Sequence, residues 1–262
     1  MSKDAPKILI FDIETAPILG WFWNLFQQDI ALNQIASDWH IMSWAAKWLR
    51  SSEVFYMDQR NAKKIDDDKT ILKALWKLLD EADIVVTQNG KAFDSKKVNA
   101  RFLINGLPPP SPYKHIDTKQ LAKKNFAFTS NKLEYLSHKI NKKYKKLKHS
   151  KFSGFELWKE CLAGNIEAWE EMEKYNKHDV LATEELYLSL APWGTGVDLN
   201  PYMSGGFRCK DCGSDNLTKQ GFKITKSGKY QQWKCRDCGS WTNSIGEKNN
   251  LFSKERRKEL KG

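Results

Sequence analysis

The sequence lacks any apolar stretch long enough to cross a membrane as a helix. Its longest candidate, ILGWFWNLF at residues 18–26, is about half of the ~20 residues that a span requires. The N-terminal MSKDAPKILIF also lacks the long apolar region and small-residue cleavage site of a secretory signal. These absences predict a cytoplasmic protein that is not secreted and has no membrane partner.

Cysteines are also few, and acidic residues are outnumbered by basic ones. The chain has five cysteines in 262 residues, and four of them form two C-x-x-C pairs. This usage fits a reducing compartment, where such pairs indicate a metal site before a disulfide. There are 43 Lys+Arg against 32 Asp+Glu, a net charge of +11. The excess favours a polyanionic partner such as nucleic acid, although a basic protein that is merely soluble has the same balance.

Apolar and aromatic residues are plentiful, at 40% and 12% of the chain, which is enough for a sizeable core and excludes a disordered chain. Their periodicity predicts strands at 7–15, 40–48, 52–57, 82–90 and 113–117. It predicts helices at 69–80, 94–106, 118–124, 131–140 and 166–190, the last as one helix or as two with a bend. Strands followed by strand–helix alternation predict an α/β domain with a mixed sheet.

The composition changes near residue 197. Residues 191–206 are rich in glycine and proline, as is typical of a linker. Residues 197–262 hold 14 Lys+Arg against 7 Asp+Glu, whereas the preceding residues hold 29 against 25. We therefore predict a large domain at 1–196, a linker at 197–206, a small domain at 207–245 and a basic tail at 246–262.

Acidic side chains stand at three places in the large domain. Asp12 and Glu14 lie two residues apart on the first predicted strand, so both point to one face and repel each other unless a cation such as Mg²⁺ or Mn²⁺ lies between them. A solvated strand edge is the alternative. Asp94 begins a predicted helix, where an aspartate also serves as an ordinary N-cap. Asp179 shares a helix face with Tyr175, whereas His178 projects about 100° away.

These places together resemble the motifs of the DEDD exonucleases of the ribonuclease H-like superfamily, which are related to the exonuclease part of family B DNA polymerases. The matching residues are Phe11, Asp12, Ile13, Glu14 and Thr15; Asn89, Gly90, Phe93 and Asp94; and Tyr175, Asn176, Asp179 and Val180. The resemblance covers residues 7–190 and implies a ribonuclease H-like mixed β-sheet flanked by helices. Position 174 is a lysine, so the histidine branch of the family does not fit, and Tyr175 fits the tyrosine branch.

The resemblance implies a metal-dependent 3′–5′ exonuclease that acts on single-stranded nucleic acid, with DNA favoured over RNA. It implies two Mg²⁺ or Mn²⁺ ions, with Asp12, Glu14, Asp94 and Asp179 as their ligands. Tyr175 would orient the attacking water, and His178 would have no catalytic role. Thr15, Asn89 and Phe93 would contact the substrate.

Such a stand-alone nuclease is typical of a bacterium or of a phage-infected cell, and its protein partners would be replication or repair proteins. Two alternatives remain open from the sequence. One is an RNA-directed or structure-selective nuclease on the same fold. The other is an inactive adapter that binds nucleic acid without cutting it.

Two further segments bear on substrate binding. Residues 139–151, KINKKYKKLKHSK, hold seven lysines and no acid. We predict contacts with phosphates from Lys142, Lys143, Lys145 and Lys146, against the alternative of a solvated loop. Trp21, Phe22 and Trp23 follow the first carboxylates closely, and either base stacking or core packing accounts for them.

The two cysteine pairs have the spacing of a zinc ribbon. Cys209, Cys212, Cys235 and Cys238 form C-x₂-C-x₂₂-C-x₂-C, which suits one tetrahedral Zn²⁺ with a structural role. The residues between the pairs predict a β-hairpin with a turn near Ser227 and Gly228. Its lysines and its aromatics, Phe222, Tyr230, Trp233 and Trp241, suit strand binding, or those aromatics only pack the hairpin. Cys161 is predicted to be a buried thiol.

Overall fold

We describe the fold from a computed structural model, for residues 5–26, 29–147, 151–203, 206–225 and 228–243. The chain divides into two compact units, one at 7–187 and the other at 188–262 with residues 1–6. The domain limits drawn from the sequence stay predictions. The predicted tail at 246–262 and the turn residue Ser227 lie outside the described residues.

A five-stranded mixed sheet forms the centre of the first unit. Its strands, numbered in chain order, are β1 (Ile8–Thr15), β4 (Ile41–Trp48), β5 (Phe55–Asp58), β6 (Ile84–Thr87) and β7 (Lys114–Asp117). Their order is β5-β4-β1-β6-β7. Strand β1 is antiparallel to β4 and parallel to β6, and β7 extends the parallel part. A separate short pair, β2 (Leu19–Gly20) and β3 (Ile35–Ser37), was not predicted.

Six helices accompany these strands in the described residues. They are α1 (Lys69–Glu81), α2 (Asp94–Ile104), α3 (Thr118–Asn125), α4 (Leu133–Ile140), α5 (Glu156–Leu162) and α6 (Ile166–Leu190). The predicted α/β class with a mixed sheet is confirmed. Of the two alternatives for 166–190, the single helix is correct. Helix α5 was missed because seven residues are too few to show a repeated apolar pattern.

The alternation of side chains along β1 decides where its acids point. Leu9, Phe11 and Ile13 are buried in one core together with Leu72 and Leu75 of α1. Burying each such side chain contributes about 1.5–3 kcal/mol to the free energy of unfolding. A shift of this strand by one residue would expose all of them, so the register is strongly favoured. The intervening acids of β1 therefore project to the opposite face of the sheet.

A second core covers that opposite face. It joins Met42 of β4 with Leu157 and Cys161 of α5 and with Trp169 and Met172 of α6. Cys161 is buried, as predicted. The acids of β1 thus lie on the side of the sheet where α5 and α6 pack.

The second unit contains a three-stranded antiparallel sheet. Its strands are β8 (Leu217–Thr225), β9 (Gly228–Cys235) and β10 (Trp241–Asn243), in the order β10-β9-β8. The pair β8 and β9 is the predicted hairpin, and β10 was not predicted. In the described part of the chain, no helix combines the length and the apolar character needed to cross a membrane.

Candidate functional site

Strand β1 extends beyond the end of its parallel neighbour β6, and the extension carries Asp12 and Glu14. Strand β6 pairs with β1 only at Ile8–Ile10. Beyond that point the backbone N–H of Ile13 donates to Oδ1 of Asp94 at 3.2 Å. Phe93 is the residue at the N-cap of α2, so the N-cap interpretation of Asp94 is wrong. Its carboxylate instead reaches across to β1.

The loop between β6 and α2 is held in one shape. Asn89 has a φ of 71°, and its N–H donates to Oδ1 of Asp117 at 3.0 Å. The other oxygen of Asp117 accepts from the N–H of Lys91 at 3.2 Å. A Cβ on Gly90 would lie 2.3–2.8 Å from side-chain atoms of Thr87, so no larger residue fits there. This loop fixes the direction in which Asp94 enters the site.

Asn176 of α6 connects that helix to the acids of β1. Its Nδ2 donates to Oδ2 of Asp12 at 2.8 Å, and its Oδ1 accepts from the hydroxyl of Ser43 at 3.1 Å. The Asn176 amide thus bridges Asp12 of β1 and Ser43 of β4, with its NH₂ group toward the carboxylate and its oxygen toward the hydroxyl. The sequence marked Asn176 only through the resemblance and gave no sign of its partner on β1.

Lys146 belongs to the predicted phosphate-contacting segment, but its side chain enters the acidic site. Its ammonium forms an ion pair with Oδ2 of Asp179 and lies 4.6 Å from the centre of the Tyr175 ring. Although burial alone lowers the pKa of this ammonium, the Asp179 carboxylate raises that pKa above its usual range. Lys146 is therefore a permanent positive charge among the acids.

The rest of the lysine-rich segment is anchored through its backbone. The N–H groups of Lys142 and Lys143 donate to the carboxylate of Glu185 at 2.7 and 3.1 Å. The backbone oxygen of Lys145 contacts Nε2 of His178 at 2.6 Å. Residues 148–150 of the segment lie outside the described residues. Whether the lysine side chains contact phosphates stays a prediction.

Trp158 lies on α5, the helix that the sequence did not predict. Its side chain hydrogen-bonds to Glu14, and its ring meets the Tyr175 ring edge-on with centres 6.2 Å apart. Trp158 thus contacts both a carboxylate and the phenol of the site. The one signal in the sequence was the i, i+4 pair of apolar residues, Leu157 and Cys161, that turns α5 toward the core.

The acids lie near enough to one another to change their protonation. Burial first, and then the charges of Asp94, Glu14 and Asp179, raise the pKa of Asp12 well above its usual range. Burial and the Asp179 charge raise the pKa of Glu14 to about 8. Burial raises the pKa of Asp94 to about 7. Four carboxyl groups from β1, α2 and α6 therefore lie close enough to influence one another electrostatically.

The donor chemistry of this site fits hard divalent cations. Carboxylate oxygens are the ligands that Mg²⁺ and Mn²⁺ prefer, and a nearby cation relieves the repulsion that raises these pKa values. The acids are spread more widely than the ligand shell of a single ion. Among the described residues, no three carboxylate side chains bring one oxygen each to within 4.8 Å of one another.

Tyr175 and His178 have different surroundings. Tyr175 is buried, and that burial and the Asp179 charge raise the pKa of its phenol above the usual range. The phenol therefore stays protonated at neutral pH and donates a hydrogen bond rather than accepting a proton. The ring of His178 packs edge-on against Tyr144, with centres 5.7 Å apart. Together with its bond to Lys145, this contact directs His178 to the lysine-rich segment.

An aromatic and basic rim borders the site beside Asp94. Phe93 has 40% of its surface exposed. The ammonium of Lys97, one helical turn further on, lies 5.6 Å from the centre of the Phe93 ring and 3.6 Å from that of Trp39. The sequence did not indicate Trp39 or Lys97. The spacing of four residues between Phe93 and Lys97 was the available signal.

The aromatic run after β1 is on the surface. Trp21, Phe22 and Trp23 are 75%, 52% and 93% exposed, so core packing is wrong for them. Base stacking stays a prediction for this run. Thr15, at the end of β1, is half-buried.

The four paired cysteines converge on one point. Their sulfur atoms all lie within 4.8 Å of one another, and two cross-pair distances are 3.7 Å for Cys209–Cys238 and 3.6 Å for Cys212–Cys235. A tetrahedron with Zn–S bonds of ~2.3 Å has sulfurs ~3.8 Å apart, so the cluster has the dimensions of a zinc site. Gly213 and Gly239 follow the pairs with φ of 75° and 79°, as each knuckle turn requires.

Comparisons with known proteins agree with this fold. A model of the ribonuclease H superfamily matches residues 36–191. Among solved structures, the family B DNA polymerase from the hyperthermophilic archaeon Pyrobaculum calidifontis is similar with a TM-score of 0.50 and 11% identity. The match covers 75% of this chain and 26% of the polymerase, so the chain spans about a quarter of that protein. A search of curated proteins returned no match. The family model matches more than half of the residues of this chain, which therefore belongs to the ribonuclease H superfamily.

Proposed function

We propose that the chain is a metal-dependent 3′–5′ exonuclease of the tyrosine branch, DEDDy, which hydrolyses single-stranded nucleic acid, DNA more than RNA. One observation carries the proposal. Four carboxylates from three elements meet beside a protonated phenol that lies one helical turn before the last of them, Asp179. A nuclease-type function also agrees with the superfamily and with the likeness to a DNA polymerase fold.

The ligands of the metal ions are proposed to be Asp12, Glu14, Asp94 and Asp179. Two divalent cations held there, Mg²⁺ or Mn²⁺, would supply the acidity that deprotonates a water and the positive charge that stabilises the departing 3′ oxygen. Asn176 positions Asp12 by its hydrogen bond, and Ile13 positions Asp94 through its backbone N–H. These contacts hold the carboxylates before any cation binds, so less ordering is needed on binding.

Tyr175 is proposed to orient the attacking water. Because its pKa is raised, the phenol stays protonated at neutral pH, so it can donate a hydrogen bond to the water but cannot accept a proton from it, and Trp158 packs edge-on against its ring. His178 is directed to the backbone of Lys145 and takes no part in the chemistry. The proton from the water therefore passes to solvent or to a carboxylate rather than to a histidine.

The substrate is proposed to be held by Thr15, Asn89 and Phe93 near its terminal nucleotide. Lys142, Lys143, Lys145 and Lys146 are proposed to neutralise its phosphates. The second unit is proposed to hold one structural Zn²⁺ and to aid the binding of nucleic acid or of a partner protein. A cytoplasmic location in a bacterium or a phage-infected cell, with replication or repair proteins as partners, completes the proposal.

The test is a degradation assay with single-stranded DNA and RNA labelled at the 5′ end. In Mg²⁺ or Mn²⁺ we expect a ladder that shortens from the 3′ end, and in excess EDTA no product. Asp12→Ala, purified in the same way, should give no ladder and thus excludes a contaminating nuclease. No degradation in either metal would instead favour the adapter, and a discrete internal cut would favour a structure-selective endonuclease.

A further inference from the structure

We propose that one face of the β8–β9 hairpin binds single-stranded nucleic acid directly. This inference rests on the proposed function, which left open whether the second unit contacts nucleic acid or protein. The face, called the Phe222 face below, is made of Lys219, Phe222, Ile224, Lys229 and Trp233.

The strand register places the side chains of the Phe222 face on the same side. Lys219 lies opposite Trp233, and Ile224 lies opposite Lys229. Phe222 lies opposite Gln231, which is two residues from both Lys229 and Trp233 along β9 and so lies on the same face as they do. Residues directly opposite in an antiparallel pair share a face, and so do residues two apart on one strand. The bulge between Lys219 and Phe222 keeps both on the same face.

The apolar members of this face are open to solvent. Phe222 is 42% exposed and Ile224 is 79% exposed. Trp233 is the exception, because its ring packs against Phe207 with centres 5.8 Å apart. Packing of the hairpin therefore accounts for Trp233 but not for Phe222 or Ile224. An exposed ring is suited to stacking on a base, since every base offers a π-face.

Lysines lie over these rings. The ammonium of Lys229 is 4.2 Å from the centre of the Phe222 ring, and that of Lys219 is 5.2 Å from the centre of the Trp233 ring. A lysine held beside a ring places a positive charge next to the stacking surface, where the phosphate that follows a stacked base passes. Basic side chains alternating with stacking platforms are the usual arrangement for binding single strands.

In the described part of the second unit, the hairpin and the cysteine knuckles differ in charge. Residues 217–235 contain five lysines and no acidic residue. Three acids lie at the cysteine knuckles instead, and each has partners there. Asp211 accepts from Ser240, Asp237 accepts from Ser214 and Asn216, and Asp215 lies 3.8 Å from Arg208. The hairpin segment thus has a net positive charge of its own.

The positive charge of the hairpin favours nucleic acid over protein as the partner. Lysine is depleted at interfaces between proteins, because its hydrated ammonium is costly to bury. A polyanion, by contrast, releases counterions when lysines neutralise its phosphates. A segment with five lysines and no acid, two of whose lysines lie on the Phe222 face beside exposed apolar side chains, therefore favours a nucleic acid strand over a protein surface.

The experiment measures equilibrium binding of a fluorescein-labelled oligothymidylate to the full chain carrying Asp12→Ala, which prevents degradation. On this background, Phe222→Ala should raise Kd by roughly fivefold to a hundredfold, the loss of one stacked base. The double change Lys219→Gln and Lys229→Gln should lower the slope of log K against log salt by about 0.7 for each phosphate that is no longer neutralised.

A matched control removes the same charge elsewhere. Lys73 and Lys77 are exposed on α1, and changing both to Gln should leave Kd within about twofold. Zinc content, measured for every variant, shows that the second unit has kept its fold. Unchanged Kd for the hairpin variants with zinc retained would overturn the inference, and so would an equal loss in the α1 control.

These outcomes are separable from the proposed function. If the unaltered chain degrades DNA while the hairpin variants bind normally, this inference fails and the exonuclease proposal stands. If the hairpin variants lose binding while the unaltered chain degrades neither DNA nor RNA, the exonuclease proposal fails and the inference about the Phe222 face stands.

Discussion

The Asp94 side chain accepts the backbone hydrogen bond of Ile13 that no residue of β6 accepts. Its Oδ1 accepts the backbone N–H of Ile13 at 3.2 Å, at a point on β1 that β6 does not reach. One oxygen of this carboxylate therefore holds the strand in place. The same residue has a structural role and a proposed role in binding metal, and the two roles are separable by substitution.

Asp94→Asn keeps an oxygen that accepts from Ile13 but removes the negative charge. We expect the free energy of unfolding to stay near that of the unaltered chain and the exonuclease activity to be lost. Asp94→Ala removes the acceptor as well and should cost about 1 kcal/mol more, as expected for one hydrogen bond. Urea denaturation followed by tryptophan fluorescence measures the difference. Equal stability of the two variants would show that the bond to Ile13 does not contribute.

Tyr175→Phe removes the hydroxyl and keeps the ring that packs against Trp158. We expect kcat on single-stranded DNA to fall by roughly a hundredfold with little change in melting temperature, because the attacking water loses its orienting bond. His178→Ala should lower kcat by less than about threefold, since its ring contacts Tyr144 and the backbone of Lys145. A larger effect of His178→Ala than of Tyr175→Phe would contradict the proposed mechanism.

The pKa values of the acids predict how stability changes with pH in the absence of divalent cations. Burial and the Asp179 charge raise the pKa of Glu14 from 4.5 to about 8 in the folded chain. Between those values the folded chain holds a proton that the unfolded chain releases, so the free energy of unfolding falls as pH rises. Burial acts in the same direction on Asp94, whose pKa rises to about 7.

Melting temperatures in buffer without Mg²⁺ or Mn²⁺ should therefore decline from about pH 5 to about pH 8. Adding Mg²⁺ should restore stability most at the upper end, because protons no longer compete for the carboxylates. The double variant Asp12→Asn and Glu14→Gln serves as the control and should lose most of both effects. A melting temperature that rises over this pH range in the unaltered chain would contradict the predicted coupling.

Gly90→Ala tests the close approach between the β6–α2 loop and Thr87. The added Cβ would lie 2.3–2.8 Å from three atoms of the Thr87 side chain, so the loop must move. We expect a loss of about 1–3 kcal/mol in the free energy of unfolding and a drop in activity, since the loop leads directly into Asp94. Ala92→Gly, two residues further along the same loop, controls for a general effect of altering its backbone.

The cysteine cluster predicts one zinc per chain. Atomic absorption should give a ratio near unity, and Cys235→Ser should lower zinc affinity and unfold the β8–β10 sheet, since metal binding and folding are coupled in such small units. Two-dimensional NMR spectra should lose the dispersed signals of β8–β10 and keep those of β1 and β4. Retention of all signals after zinc removal would show that the sheet is stable without metal.

The sequence predicted most strands and helices of the large unit because their apolar periodicity is regular. Helix α5 and the β2–β3 pair escaped because they are too short to carry a pattern. The acids were predicted from their spacing and from their resemblance to known motifs. The partners that hold them were not, because Asn176 meets Asp12 across 164 residues and Lys146 meets Asp179 across 33, and no local pattern encodes such pairings. These pairings arise only when tertiary packing brings the distant segments together.

Helix α6 is continuous from Ile166 to Leu190, and within it Tyr175, Asn176 and Asp179 lie in adjacent turns. Because one continuous helix carries all three side chains, a displacement of that helix would move them together. Under the proposed mechanism, such a displacement should lower the activity in a single step. In relaxation-dispersion NMR, residues near all three groups should then share one exchange rate.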